Sequence, residues 1–305
     1  MYQFMFNVAF FVLGLVVLLY GASMFTSNAS RIAKALGVSE LVIGLTLVAF
    51  STSLPELAVS VTASFAGSAE IAIGNVIGSN ISNIGLILGI SAFLGPIAIS
   101  KSEFSQGITM LLITAASALL ILGGVTRLEG LFLFLFIIIF LINLLKKGPE
   151  EKIRETQRVG TRLLLLSVGV AGVIAGSRLL VFGATNIARS LNVSELFIAV
   201  TIVAIGTSLP ELATSATAAM KGLKKMAIGN IIGSNVFNLA AVLGVSSMVR
   251  PIMLTNFSIP IDLLFMVGLS AILLIYMRSE RKLSIREGTI LLFLYALFLA
   301  SQVLR

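Results

Sequence analysis

Long uncharged apolar stretches recur along almost the whole chain and are separated by short polar segments. A helix needs about 20 apolar residues to cross roughly 30 Å of hydrocarbon. The pattern therefore predicts an all-α integral membrane protein with ten transmembrane helices. The predicted spans lie near residues 4–27, 39–66, 71–94, 105–123, 128–146, 162–183, 194–219, 226–248, 258–277 and 285–302.

Composition narrows the chemistry that such a protein can perform. Hydrophobic residues make up 58% of the chain and charged residues 11%, and the mean hydropathy is +1.09, far more apolar than a soluble domain. The chain has no cysteine and no histidine, which excludes thiolate and imidazole metal ligands, disulfides and the common nucleophile and base pairs. We therefore expect no enzyme activity and no prosthetic group, and any bound cation must be held by oxygen atoms.

The positive charge of the chain is best explained by membrane topology. A net charge of +8 in a soluble protein would suggest nucleic acid, but here we expect lipid and cations as the only partners. With the N-terminus outside, 16 of the 21 Lys and Arg residues fall in inside loops. The positive-inside rule then predicts a multi-pass plasma-membrane protein with both termini extracellular. The five basic residues left outside are Arg127, Arg178, Arg189, Arg250 and Arg305.

The chain contains an internal repeat. The motif STSLPE at 51–56 returns as GTSLPE at 206–211, 155 positions later, and the polar positions that follow it align at the same offset. We expect a first five-helix repeat at 1–146, a cytoplasmic linker at 147–161 and a second five-helix repeat at 162–305. Five spans separate equivalent positions, and because five is odd the two repeats have inverted topology. One chain carries both repeats, so we expect a monomer.

Each motif places a glutamate directly after a proline inside an apolar run. A charge at the bilayer centre costs roughly 2.5 to 3.5 kcal/mol, so Glu56 and Glu211 are candidate functional residues; the alternative is a protonated pair that stabilises a helix interface. Pro55 and Pro210 cannot donate to the carbonyl one turn earlier, and each should bend its helix. Nearby hydroxyls either face the glutamates or bond back to their own helix. These hydroxyls belong to Thr52, Ser53, Thr207 and Ser208.

The span after each motif carries a polar stripe at intervals of four residues, which places it on one helix face. Its members are Asn75, Ser79 and Asn83 in the first repeat and Asn230, Ser234 and Asn238 in the second. Calcium takes six to eight oxygen ligands, many from carboxylates and amide carbonyls. Two ionised glutamates would balance one divalent cation, and without a cation they would repel each other. That repulsion favours coupled exchange over leak.

Glycines on the first and sixth spans form a second pattern. Gly14 and Gly21 are seven residues apart, as are their equivalents Gly169 and Gly176. Small residues let membrane helices approach closely. We expect these two spans to pack together and to slide against each other during transport.

The doubled motif resembles the paired repeats of the sodium/calcium exchanger family of cation/calcium antiporters. The blocks are GLTLVAFSTSLPEL with AIGNVIGSNISNIG, and AVTIVAIGTSLPEL with AIGNIIGSNVFNLA. The resemblance covers nearly the whole chain and implies export of calcium in exchange for sodium at one midplane site. The residues that it implies as cation ligands are Glu56, Glu211, Thr52, Ser53, Ser79, Asn83, Thr207, Ser208, Ser234, Asn238 and the backbone carbonyls of Ala49 and Ala204.

Two positions depart from the family pattern. Ser51 stands where the motif commonly has glycine, and asparagine stands at both 83 and 238, where many members have one aspartate. The site then carries two fixed charges rather than three. Exchange of calcium for protons at the same site is therefore the alternative, and a cation channel is a rival of another class.

Overall fold

The computed structural model describes residues 2–67, 69–146, 159–191, 204–253, 259–279 and 281–304, and these are almost entirely helical. Eight of the described helices are long and apolar enough to cross a membrane, and one bent helix pair adds a ninth candidate. The prediction of an all-α membrane protein is therefore confirmed. The count of ten stays a prediction, because the seventh predicted span begins outside the described residues. Most of the linker predicted at 147–161 also lies outside them.

The first half forms α1 to α8, with two π-helical turns and a short strand. In chain order these are α1 Tyr2–Leu36, α2 Glu40–Ile43, π1 Gly44–Val48, α3 Ala49–Thr52, α4 Leu54–Phe65, α5 Ala69–Ser82, π2 Asn83–Leu88, α6 Gly89–Phe93, β1 Ile97–Ala98, α7 Lys101–Gly123 and α8 Arg127–Lys146. The helix α1 runs about two turns beyond its predicted span, whose polar end remains helical.

The described residues of the second half form α9 to α15 with a third π-helical turn and a second short strand. These are α9 Val159–Ser190, α10 Ala204–Thr207, α11 Leu209–Met220, α12 Lys224–Phe237, π3 Asn238–Val242, α13 Leu243–Val249, α14 Ile259–Ser279, β2 Lys282–Leu283 and α15 Ile285–Val303. The strand β2 pairs antiparallel with β1, which ties together loops from the two halves.

The helix carrying the first motif is broken at Ser53. The two parts, Glu40–Thr52 and Leu54–Phe65, meet at an angle of 46°. Pro55 lies in the first turn of α4, where its missing N–H costs no hydrogen bond. Ser208 has nearly the same backbone angles, φ −90° and ψ 4°, as Ser53, with φ −85° and ψ 6°. The predicted bend is thus confirmed at Pro55, and the same break occurs before Pro210.

The π-helical turns are a feature that the sequence analysis missed. Asn83 begins π2 and Asn238 begins π3. Such turns widen a helix by one residue and are frequent at functional sites. Asn83 and Asn238, the last residues of the two stripes, therefore lie where the helix changes its register.

Glycines bring the backbones of α1 and α9 into contact. A Cβ atom on Gly14 would lie 2.4 Å from the backbone N of Leu180, and one on Gly176 would lie 2.4 Å from the backbone N of Leu18. Gly21 meets the backbone of α9 in the same way. The expectation that these spans pack together through glycine is confirmed, and the sliding motion stays a prediction.

The helices that follow the two motifs lie at the centre of the protein. Most of the stretch from Lys224 to Val249 is buried inside the protein, as is most of the stretch from Ile71 to Phe93, whereas the other candidate spans are far more exposed. The polar stripes on α5 and α12 are therefore surrounded by protein rather than by lipid, which is where intramembrane polar residues are tolerated.

Candidate cation-binding site

The two motif glutamates are buried at the centre of the protein. Glu56 is 0% exposed and Glu211 is 1% exposed. Each is in the first turn of its helix, α4 or α11. The unpaired N–H groups of a first helical turn favour a negative charge. Burial of the charge is thus partly offset by the break before each proline.

Hydrogen bonds join each motif to the other half of the chain. The Ser53 hydroxyl donates to Oε1 of Glu211 at 3.2 Å, and the Thr52 hydroxyl approaches Oδ1 of Asn230 at 3.3 Å. The hydroxyls of Ser82 and Ser208 are 2.8 Å apart. The structure therefore brings the two copies of the motif together, although they are 155 positions apart in the sequence.

The stripe asparagines are oriented by partners across the same boundary. Nδ2 of Asn83 donates to Oδ1 of Asn235 at 2.9 Å, and Nδ2 of Asn238 donates to the Ser79 hydroxyl at 3.0 Å. An amide that uses its N–H group in this way turns its oxygen to the opposite side.

Several buried oxygens at this centre receive no hydrogen bond from any described residue. They are Oε1 and Oε2 of Glu56, Oε2 of Glu211, and Oδ1 of Asn80, Asn83 and Asn238. Buried polar atoms are normally paired, and an unpaired one costs about 1 to 3 kcal/mol, more when it is charged. Such a group of acceptors has the composition of a cation site.

A serine supports the first stripe residue in each half. Nδ2 of Asn75 donates to the hydroxyl of Ser60 at 2.8 Å, and Nδ2 of Asn230 donates to the hydroxyl of Ser215 at 2.8 Å. Asn75 also donates to the Glu56 carbonyl at 3.1 Å. Neither Ser60 nor Ser215 was predicted as part of the site. The two serines are equivalent at the offset of 155 positions, which is the signal that could have revealed them.

The remaining predicted hydroxyl ligands make contacts of two kinds. Thr52 and Ser79 bond back to carbonyls of their own helices, Thr52 to Val48 at 3.1 Å and Ser79 to Asn75 at 2.7 Å. Ser234 lies 3.5 Å from Oδ1 of Asn230. A hydroxyl that donates keeps its lone pairs, so these oxygens can still accept a cation.

The predicted backbone ligands and Thr207 lie beside the helix breaks. The carbonyl of Ala49 accepts from the Ser53 N–H at 3.0 Å and from the Thr52 hydroxyl at 3.3 Å. Ala204 is the first residue of α10. Thr207 is half-buried at the end of that helix and lines a cavity. Ala49, Ala204 and Thr207 therefore all lie close to a motif glutamate along the chain.

A cavity of about 700 Å³ adjoins the site on one side. Its lining includes Pro55, Gly206, Thr207 and Pro210, which flank the two breaks, and Arg178 on α9. The cavity reaches the protein surface through exposed residues of α4 and α9. The cavity therefore extends from the protein surface to residues beside both helix breaks.

The donor set suits a hard cation. No group of three or more Asp, Glu, His or Cys side chains that could hold a metal occurs in the described part of the chain. Two carboxylates with amide and hydroxyl oxygens instead match the oxygen ligands of calcium. These neutral oxygens can also hold sodium, which needs fewer charges.

The family profile for sodium/calcium exchanger proteins matches residues 6–146 and 161–304. The chain belongs to the sodium/calcium exchanger family. The resemblance that the motifs indicated is thereby confirmed. Both halves of this family member take part in the match, and the gap in the match falls on the linker.

Relatives of this exchanger-family chain are similar over nearly their full length. An uncharacterized membrane protein of Methanocaldococcus jannaschii is 37% identical over 97% of each chain. The sodium/calcium exchanger MaX1 of Methanosarcina acetivorans is 33% identical, covering 96% of this chain and 97% of the relative. A solved structure of the sodium-calcium exchanger NCX_Mj, soaked with sodium and calcium, superposes with a TM-score of 0.88 at 36% identity, covering 97% and 98% of the two chains.

We expect Asn235→Leu to weaken calcium binding without removing the site. The substitution deletes the acceptor that holds the Asn83 amide, so the Asn83 oxygen loses its fixed direction. Loss of one such bond is worth about tenfold in affinity. Exchange assays should therefore give a half-saturating calcium concentration that rises while the maximal rate is kept. Asn143→Leu on the exposed face of α8 is the control, and an unchanged calcium dependence in Asn235→Leu would contradict the positioning role.

Proposed function

We propose that this protein exports calcium from the cytosol in exchange for sodium by alternating access at a single midplane site. The proposal rests on one observation above all. Glu56 and Glu211, one from each half, are buried, and both carboxylate oxygens of Glu56 and Oε2 of Glu211 receive no hydrogen bond from a described donor. The family membership and the similarity to NCX_Mj, whose crystals were soaked with sodium and calcium, support the same cargo.

Coupling follows from the charge of the site. Two glutamates in a poorly solvated centre are stabilised by one calcium ion or by sodium ions, and they repel each other when no cation is bound. A site without cations is therefore too costly to close off and carry across the membrane. Only a loaded site moves, and the protein exchanges ions instead of leaking them.

The twelve residues predicted from the sequence are the proposed ligand set. Glu56 and Glu211 supply charge, and the oriented oxygens of Asn83 and Asn238 complete the calcium shell. The hydroxyls and backbone carbonyls supply the neutral positions that sodium needs. These neutral ligands are Thr52, Ser53, Ser79, Thr207, Ser208 and Ser234, with the carbonyls of Ala49 and Ala204.

We further propose that the halves 1–146 and 162–305 are inverted repeats and that the linker at 147–161 faces the cytoplasm. The Lys and Arg distribution supports the cytoplasmic linker, and the bond between the two motifs at Ser53 and Glu211 supports the pairing of the repeats. Both termini are then extracellular, and the cavity beside Pro55 and Pro210 opens to the outside. One chain forms a complete site, so a monomer suffices.

Calcium uptake into proteoliposomes tests the proposed function. Vesicles loaded with sodium should take up calcium when they are diluted into sodium-free medium, and uptake should stop when sodium is present at equal concentration on both sides. A protonophore that collapses the pH gradient should leave uptake in place. Uptake that follows the pH gradient and ignores sodium would overturn sodium coupling, and calcium flux without any counter-ion would indicate a channel.

A further inference from the structure

A lysine at the end of α11 ties that helix to α1. Nζ of Lys221 donates to the Ser23 carbonyl at 2.7 Å, to the Ser23 hydroxyl at 2.8 Å and to the Ser27 hydroxyl at 2.6 Å. All three donor positions of an ammonium group are thus used on one neighbouring helix. Lys221 is 198 residues from Ser23 and 194 residues from Ser27 along the chain, so the bonds join the two halves.

The equivalent positions in the other half make no such connection. At the offset of 155 residues, Lys221 corresponds to Ala66, and Ser23 and Ser27 correspond to Arg178 and Phe182. These three residues line the cavity of about 700 Å³. On one side of the site, the Lys221 ammonium group is therefore bound to two serines. At the equivalent place on the other side there is an open cavity.

The packing beneath the lysine differs between the halves in the same way. Ala22 of α1 and Ala213 of α11 lie in one buried apolar cluster. Their equivalents, Ser177 and Ala58, line the cavity instead. The contact between α1 and α11 is closed, whereas the matching contact between α9 and α4 is open.

We propose that Lys221 is a latch that keeps α1 closed against α11 while the ion site is reached through the cavity on the opposite side. The proposal rests on alternating access as the proposed function. In a protein built from two equivalent halves, exposing the site to the other face exchanges the two environments. The α4 contact must then close and the α11 contact must open, which requires Lys221 to leave Ser23 and Ser27.

The latch is present in only one half, and this difference biases the conformational equilibrium. Ala66 has no side chain that could bind α9, so nothing equivalent stabilises closure of the cavity. A contact formed in one of two states shifts the population toward that state by its own free energy. Lys221 therefore favours the form in which the cavity is open. The Lys221 side chain is exposed to solvent, which allows the bonds to break and re-form in each cycle.

Thiol labelling of the cavity tests the latch directly. The chain has no cysteine, so Thr62→Cys places a single thiol on the cavity wall. With a membrane-impermeant maleimide added on the cavity side, Lys221→Ala should lower the ratio of cavity-open to cavity-closed protein roughly tenfold, the effect of losing hydrogen bonds to a charged group. The labelling rate follows the open fraction, so it should fall measurably and by at most that factor. The double variant Ser23→Ala/Ser27→Ala removes two of the three bonds and keeps the one to the Ser23 carbonyl, so it should lower the rate in the same direction by a smaller factor. Adding it to Lys221→Ala should have little further effect, because the lysine that donates all three bonds is already absent.

The control is Lys225→Ala, which removes an exposed lysine near Lys221 and should leave the labelling rate unchanged. Equal labelling in Lys221→Ala and the unsubstituted protein would overturn the latch. A lower melting temperature without a labelling change would show that Lys221 only stabilises the fold, and this outcome also overturns it. Labelling does not need calcium transport, so a failed uptake assay would count against the proposed function and not against the latch.

Moving the latch to the other half gives a second test. In the Lys221→Ala background, Ala66→Lys with Arg178→Ser and Phe182→Ser recreates the lysine and its two serines beside the cavity. The cavity should then close, so labelling of a cysteine at position 62 should fall below that of Lys221→Ala alone. Labelling that stays at the Lys221→Ala level in a protein with an unchanged melting temperature would contradict the proposal.

Discussion

Glu56→Gln and Glu211→Gln are each expected to abolish calcium transport. Each substitution keeps the size of the side chain and removes one of the two charges that face the cation. Loss of about 3 kcal/mol of binding free energy already lowers affinity about 100-fold, and the loss of a buried charge that contacts a divalent ion should be at least that large. Sodium-driven calcium uptake into proteoliposomes measures the effect.

The same variants should be more stable than the unsubstituted protein when no calcium is present. A buried carboxylate without a cation is costly, and an amide in its place removes the repulsion between Glu56 and Glu211. The unsubstituted protein should gain about 2.7 kcal/mol at a calcium concentration 100 times its dissociation constant. Melting temperatures with and without calcium therefore separate loss of binding from loss of folding, since the variants should melt higher without calcium and gain nothing from it.

Glu129→Gln is the matched control for both measurements. Its carboxylate accepts hydrogen bonds from Thr126 at the start of α8, away from the motifs. Transport and the calcium-induced shift in melting temperature should both persist. If either motif glutamine variant transported calcium at a near-normal rate, a site shared by the two halves would be refuted.

Gly176→Ala is expected to block transport through packing. The added methyl group would lie 2.4 Å from the backbone N of Leu18 on α1, closer than any real contact, and backbone cannot move aside as a side chain can. Overpacking of this kind costs about 1 to 3 kcal/mol. The usual gain of about 1 kcal/mol from replacing glycine by alanine inside a helix does not offset it. We expect a lower melting temperature and little or no exchange.

Gly160→Ala on the same helix separates the contact from helix propensity. Apart from the backbone of its own helix, no atom of the described residues lies within 4 Å of the position that its Cβ would take. This variant should melt at the same temperature as the unsubstituted protein or higher, and it should transport normally. If Gly176→Ala behaved like Gly160→Ala, the close contact between α1 and α9 would play no part in transport.

Much of the site could be predicted because the motif occurs twice. A glutamate behind a proline in an apolar run is rare enough to mark a functional position, and its duplication predicts that Glu56 and Glu211 meet. The structure brings the two motifs together, through the bond from Ser53 to Glu211 among others. The bend at Pro55 was predictable for a local reason, since proline cannot donate to the preceding turn.

Other features depend on packing and could not be read from the pattern. The π-helical turns at Asn83 and Asn238 look like regular helix in the sequence, because the extra residue changes no hydrophobic period that a short segment reveals. Asn235 and Asn80 occupy equivalent positions, yet only Asn235 receives a bond from a stripe residue of the other half. The two halves thus make different contacts although their sequences are similar. The difference arises from the way the halves pack against each other, which the sequence pattern of one half does not show.

The bonds that cross between the halves also bear on how such a chain could have arisen. Ser53 donates to Glu211, Asn83 to Asn235 and Asn238 to Ser79, so the hydrogen-bond partners of these side chains belong to the other half. A shorter ancestor with one motif would have had these side chains without the partners that orient them. It could have bound an ion only by pairing with a second copy of itself. Within one polypeptide, equivalent positions of the two halves need not carry the same residue, as Ala66 and Lys221 show.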